Sequence, residues 1–221
     1  MILLDSKNPQ FPDPNTAELE PDGLLAIGGN LAASTLLSAY RRGVFPWYSE
    51  GDPLLWWSPS IRCVLDPHNI HISKSLSKLL RQQRYRISID SAFSKVIKNC
   101  ALGRGNQGTW ITNDMILAYT DLHRQGYAHS IEVWQEKDLI GGIYGLAIGG
   151  IFCGESMFSR TANGSKIAMV HLCRHLIKRG FSLLDCQIVS DHLLSMGAKS
   201  MNRLDFLSLI SSQNKRAIDW L

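Results

Sequence analysis

Between Ala128 and Ser159 the chain reads as three consecutive strand-like runs, AHSIEVWQ, LIGGIYGLAIGG and IFCGESMFS, and this block restricts the fold most. Turn signals at Glu136-Lys137 and Gly149-Gly150 leave connections so short that neighbouring strands must pair antiparallel. The period then changes. Met169, Leu172, Cys173, Leu176 and Ile177 recur at i, i+3, i+4, i+7 and i+8, one apolar stripe of a helix that Asn163 caps and Gly180 ends. FSLLDCQIV follows as a buried strand, and the helix before it is long enough for a crossover that leaves its flanking strands parallel. A meander extended by such a crossover predicts an α+β fold with a mixed sheet flanked by helices.

Upstream, Ser73 caps SKSLSKLLRQQ, YRISID reads as a strand, SAFSKVIKNC as a helix, and Asn113 caps DMILAYTDLHRQ, which Gly126 closes. The front of the chain differs in character. Five of the eight prolines precede residue 50 and two more, Pro53 and Pro59, follow closely, which predicts extended loops around one helix. That helix is LAASTLLSAYRR, capped by Asn30 and ended by Gly43. At 221 residues the chain holds about 1.5 domains of ~150. The expected division is a small N-terminal lobe over residues 1–61 and a larger domain over 62–221.

Hydrophobic residues at 45% and charged residues at 19% argue against a disordered chain. No apolar run approaches the roughly 18 residues of a membrane span. The opening MILLDSKNPQFPDP has no basic segment, apolar core or cleavage site of a signal peptide, so a cytoplasmic protein is expected. Five cysteines without a C-x-x-C pair exclude a tidy disulfide framework and a zinc ribbon. A net charge of +4 permits nucleic-acid contact without requiring it.

Three features carry chemistry. Strand alternation puts Asp185 and Gln187 on one face of LLDCQ, among apolar neighbours that would desolvate the carboxylate, and Glu155 is a second acid in the run IFCGESMFS. Structural pairing explains one buried acid; two in core strands point equally to a site. Trp47 and Trp110 sit beside Gly- and Pro-rich loop residues, where an indole can stack on a nucleobase as readily as pack, whereas Trp56, Trp57 and Trp134 read as packing. Lys74, Lys78, Arg81, Arg84, Arg86, Lys95, Lys98 and Arg104, against Asp90 alone, form a basic stretch that suits an anionic polymer. His171 and His175 lie four apart but lack the glutamate of a zinc-protease helix, and Cys186 alternates away from Asp185 toward packing.

PDGLLAIGGNL, AYRRGVFPWYSEGDPLLWWSP, GTWIT, HSIEVW, GGIYG, FCGESMFSR and LLDCQ, in that order through residues 10–207, resemble the leucyl/phenylalanyl-tRNA–protein transferase family. The resemblance implies a small N-terminal lobe on a GCN5-related acetyltransferase-like domain. It implies transfer of Leu or Phe, and Met less well, from aminoacyl-tRNA to proteins or peptides with N-terminal Arg or Lys. The products are N-degrons. Neither CoA nor a metal is implied, and RTANGSK lacks the glycine turn that CoA-dependent relatives use. By the same resemblance Asp185 and Gln187 sit at the reaction centre, with Asp185 orienting Gln187, and Glu155 stands near the acceptor. Trp47 and Trp110 match positions that hold the terminal adenosine, with Tyr40 close by. Phe152, Met157 and Ile143 are candidates for the aminoacyl side-chain pocket, with plain core as an at least equal alternative for Phe152 and Ile143. Lys74, Lys78, Arg81 and Arg84 are the tRNA-binding candidates from the basic stretch. The oligomeric state is open, a monomer being favoured. A CoA-dependent N-acetyltransferase and a non-catalytic tRNA-binding module stay as alternatives.

Overall fold

The computed structural model describes residues 2–82, 84–102 and 110–221. The first part of the chain forms β1 (Ile2–Leu4), β2 (Leu24–Gly28), α1 (Ala33–Arg41), β3 (Phe45–Pro46) and β4 (Leu55–Trp57). These strands make a four-stranded sheet in the order β1-β2-β4-β3, with β1 and β2 parallel. Asn30 serves α1 from just outside it: its Oδ1 accepts the Ala32 N–H at 2.9 Å and the Thr35 hydroxyl at 2.7 Å. Gly43 follows at φ 73°, a left-handed turn that reverses the chain into β3.

The remainder contains β5 (Ile61–Leu65), α2 (Lys74–Arg81), β6 (Arg86–Ile89), α3 (Phe93–Leu102), α4 (Asn113–Arg124), β7 (Ala128–Gln135), β8 (Asp138–Ile148) and β9 (Ile151–Ser159). Then come α5 (Gly164–Arg179), β10 (Leu183–Gln187), α6 (Asp191–Ser195), β11 (Lys199–Asn202) and α7 (Arg203–Gln213). Among the described residues the second sheet has seven strands, ordered β11-β5-β10-β9-β8-β7-β6. The β7-β8-β9 meander is antiparallel, and β9–α5–β10 is the expected parallel crossover. The α+β reading therefore holds.

Alternation along the strands divides the interior. On one face Tyr144 and Cys153 pack with α3 and α4 side chains (Val96, Ile97, Tyr119), with Leu36 and Phe45 of the N-terminal sheet region, and with Phe206 of α7. On the other face Ile143, Phe152 and Leu184 pack with the α5 stripe. The stripe is buried from Met169 to Leu176, but Ile177 is 37% exposed. At 100° per residue, position i+8 lies about 80° round from position i, at the edge of the buried face. The cap of α4 is Thr112 rather than Asn113: the Thr112 hydroxyl accepts the Met115 N–H at 3.3 Å, three residues on. Asn163 precedes α5 at φ 69° and makes no side-chain cap bond. Arg104, and Gly108 and Thr109 of GTWIT, lie outside the described residues.

Candidate active site

Two β-bulges in neighbouring strands build the site. In β9 the register against β8 steps from Tyr144↔Ser156 to Gly145↔Gly154, which leaves Glu155 as the extra residue. In β10 the register against β5 steps from Asp185↔Val64 to Gln187↔Cys63, which leaves Cys186 extra and puts Gln187 at φ 62°. Bulges re-aim side chains that simple alternation would send elsewhere. Gly145 permits the first: a Cβ there would sit 2.1 Å from the Cys153 carbonyl oxygen.

The consequence is a buried polar cluster. The Gln187 amide donates through Nε2 to Glu155 Oε1 at 2.7 Å, and the Tyr119 hydroxyl donates to Oε2 at 3.0 Å. Tyr119 in turn bonds the Tyr40 hydroxyl. Burial pushes the Glu155 pKa up to about 7, although the bonds from Tyr40, Tyr119 and Gln187 and the nearby Asp185 charge also act on it, the bonds downward and the charge upward. Burial, reinforced by the Glu155 charge, holds both phenols well above their ordinary range, so they remain protonated donors.

Glu155 and Gln187 line a cleft of about 420 Å³. Its mouth carries Trp47, 41% exposed, and the half-buried Trp110. Its apolar wall includes Ile143, Met157, Met169, Leu184 and Leu193. Cys186, read as packing, lines the cleft as well, because the bulge breaks the alternation that would have hidden it.

Three expected site residues lie elsewhere. Asp185 is fully buried and does not line the cleft; Arg62 grips it, Nε to Oδ1 at 2.8 Å and Nη2 to Oδ2 at 2.7 Å. Its Oδ1 also accepts the Gln187 backbone N–H at 2.9 Å, so it orients Gln187 through the main chain rather than through the amide. Phe152 shares the sheet face of Ile143 and Leu184 but does not line the cleft; it is paired with Leu184 and stacks on Trp220, centroids 5.1 Å apart. Tyr40 is buried, does not line the cleft, and bonds the Tyr119 hydroxyl that holds Glu155. Trp56 and Trp57 have structural partners, donating to the carbonyls of Gly28 and Trp47. Lys74, Lys78, Arg81 and Arg84 are exposed and none lines the cleft. Arg86 and Lys95 of the same stretch lie over the Trp134 ring. His175 bonds the Trp220 carbonyl, while His171 lines a separate cavity beside Arg174.

Sequence reasoning missed Tyr119 and Arg62. Each left a signal: a tyrosine four residues after Met115 and three before Leu122 on a buried helix face needs a partner for its hydroxyl, and an arginine inside the run IRCVL needs a buried anion.

Comparison with known proteins identifies the family of the chain. The family model described as leucyl/phenylalanyl-tRNA protein transferase matches residues 64–211, and the model of that family's N-terminal domain matches residues 29–60. A leucyl/phenylalanyl-tRNA–protein transferase of Shewanella baltica is 53% identical over 220 residues, covering 99% of this chain and 93% of the relative. One from Cellvibrio japonicus is 52% identical over 202 residues, covering 91% and 86%. Among solved structures FemX is similar in fold, with a TM-score of 0.50 at 9% identity over 80% of this chain and 70% of its own. A GCN5-related N-acetyltransferase from Kribbella flavida gives a TM-score of 0.41 at 7% identity over 72% and 57%. With both parts of the family's architecture matched, and relatives sharing half of its residues along nearly its whole length, the chain belongs to the leucyl/phenylalanyl-tRNA–protein transferase family.

Proposed function

We propose that the protein transfers leucine or phenylalanine, and methionine less well, from aminoacyl-tRNA to the N-terminal Arg or Lys of acceptor proteins, and that the cleft is where this occurs. Family membership supports the activity. The observation that carries the site reading is the buried Glu155–Gln187 pair, set between an apolar wall and two tryptophans at the mouth. In this reading Trp47 and Trp110 stack on the terminal adenosine, and Ile143 and Met157, joined by Met169 and Leu184, receive the aminoacyl side chain. A missing methylene in such a pocket is worth only ~1–3 kcal/mol, which fits acceptance of Leu, Phe and Met together.

The donor is already an activated ester, so the enzyme needs no covalent intermediate. The acceptor's neutral α-amine attacks the ester carbonyl. The N–C bond forms, the C–O bond to the ribose breaks, and the amine proton ends on the ribose hydroxyl. With an α-amine pKa of about 7.7–8.0, enough of the amine is neutral for alignment to supply much of the rate. Gln187 commits its Nε2 to Glu155, which leaves Oε1 to accept a hydrogen bond from the incoming amine. An amide is a poor base, so this hydrogen bond orients the amine rather than deprotonating it. The ionised Glu155 favours a cationic acceptor residue through a charge-assisted hydrogen bond. Asp185 is a positioning residue in this scheme.

The exposed α2 cations Lys74, Lys78 and Arg81, with Arg84, would follow the tRNA backbone. Residues 1–61 act as a lobe that contributes Trp47 to the donor side. No helix among the described residues is long and apolar enough to cross a membrane. A cytoplasmic setting suits the aminoacyl-tRNA donor, and the products would be N-degrons of the N-end rule pathway. The test is transfer of labelled leucine from leucyl-tRNA to a peptide beginning with Arg. Label should appear on that peptide and not on one beginning with Asp. A folded protein that labels neither would refute the reading.

A further inference from the structure

A single guanidinium connects the two walls of the cleft. Arg62 is 2% exposed, and its planar faces are covered by Phe45 and Phe206, with ring centroids 4.7 and 4.5 Å from Cζ. One edge of the fork holds both oxygens of Asp185, whose Oδ1 also receives the Gln187 N–H. The remaining nitrogen, Nη1, donates to the Gly43 carbonyl at 3.2 Å, at the turn that launches Phe45, Pro46 and Trp47. Phe45 itself lines the cleft beside Trp47. Burial works against the Arg62 charge, but Asp185 more than offsets this and keeps the group cationic.

We propose that Arg62 is a positioning residue for the transfer reaction: through Asp185 it fixes the left-handed backbone at Gln187, and through Gly43 and Phe45 it fixes the wall bearing Trp47. The proposal rests on the reading that Gln187 addresses the incoming amine. Gln187 at φ 62° occupies a region that side-chain-bearing residues adopt only when the surroundings enforce it. The bond from its N–H to Asp185 is such a constraint, and it is only as rigid as the fork that holds the carboxylate. Lysine keeps the charge but offers a point donor in place of the planar fork, so it cannot hold both oxygens and Gly43 in one geometry.

The experiment is a double-mutant cycle on kcat with leucyl-tRNA and an Arg-initiated peptide. Gln187→Ala should lower kcat; if it does not, both the reading of Gln187 and this proposal fail. A displacement of about 1 Å at a reacting group costs about 10²-fold, so Arg62→Lys should lower kcat by about that factor and leave the KM for the peptide within about twofold. In the Gln187→Ala background Arg62→Lys should then have little further effect on kcat at saturating leucyl-tRNA, because its action on the attacking amine passes through the missing amide, whereas its hold on the Trp47 wall is read in the KM for leucyl-tRNA. Losses that multiply, while Gln187→Ala alone is impaired, would overturn the positioning role and leave the reading of Gln187 standing. If Arg62→Lys melts below the assay temperature, Asp185→Asn provides the same cycle. It keeps an acceptor for the Gln187 N–H and weakens the grip of Arg62, and multiplicative losses would again overturn the proposal.

Discussion

Glu155→Gln isolates the energetic consequence of placing a carboxyl under the cleft. In the folded protein Glu155 keeps its proton to about pH 7, against an ordinary value of 4.5. Between those two values the folded state binds more protons than the unfolded one, so stability falls as pH rises and the loss is complete once pH passes about 7. At 1.36 kcal/mol per pH unit, the rise from 4.5 to about 7 corresponds to about 3 kcal/mol of stability present in acid and absent in mild alkali. Glutamine preserves the shape and an acceptor for the Tyr119 hydroxyl but does not titrate. Urea unfolding of both proteins at intervals from about pH 4.5 to about pH 8 gives a difference in which every other titrating group cancels. Wild type should lose about 3 kcal/mol relative to Glu155→Gln across that range. A difference that stays flat with pH would show that Glu155 ionises normally and that its burial has no electrostatic consequence.

Trp110→Ala should weaken donor binding by the ~1–3 kcal/mol of one stacked base, read as about a fivefold or larger rise in KM for leucyl-tRNA with the KM for the peptide unchanged; an unmoved donor KM would remove Trp110 from the adenosine site. Met169→Trp narrows the apolar wall and should reduce transfer from phenylalanyl-tRNA more than from leucyl-tRNA, typically by ~1–3 kcal/mol of discrimination in competition assays; equal losses would place the side-chain pocket elsewhere. Charge reversal of Lys74, Lys78 and Arg81 should flatten the plot of log tRNA affinity against log salt by about 0.7–0.9 for each phosphate that is no longer neutralised. An unchanged slope would return α2 to being an ordinary solvated surface.

Where local rules decide the structure, the chain is legible. Glu136 at φ 54° and Gly149 at φ 56° make the tight turns of the meander, and Gly180 at φ 81° ends α5 as its composition implies. Thr112 taking the cap from Asn113 is a one-residue slip between two residues that both cap well. The site resists reading because it depends on breaking the two-residue period. Strict alternation keeps Asp185 and Gln187 equivalent and hides Cys186, whereas the bulge buries Asp185 and brings both Cys186 and Gln187 to the cleft. The family resemblance supplied Glu155 on the acceptor side, Gln187 at the reaction centre and Trp47 and Trp110 on the donor side, and all four line one cleft. It also supplied Phe152, which packs on Trp220 and stays out of the cleft, and Tyr40, which bonds Tyr119 next to the carboxylate. The run IRCVL marks Arg62 as a buried arginine, but neither resemblance nor spacing reveals its partners Gly43, Asp185 and Phe206, which are scattered along the chain and meet only after folding.

The interior that joins Leu36, Tyr40 and Phe45 to Tyr119, Tyr144 and Phe206 has a consequence for how such a protein can be dissected. Although its strands sort into two sheets, the oily material between them is shared, so neither portion owns a finished interior. A fragment beginning at β5 would present that raw surface to water and leave the Tyr119 hydroxyl and the Arg62 guanidinium each missing a mate. Melting should accordingly proceed in one step, and transplanting the seven-stranded portion alone should yield insoluble product instead of a slower enzyme.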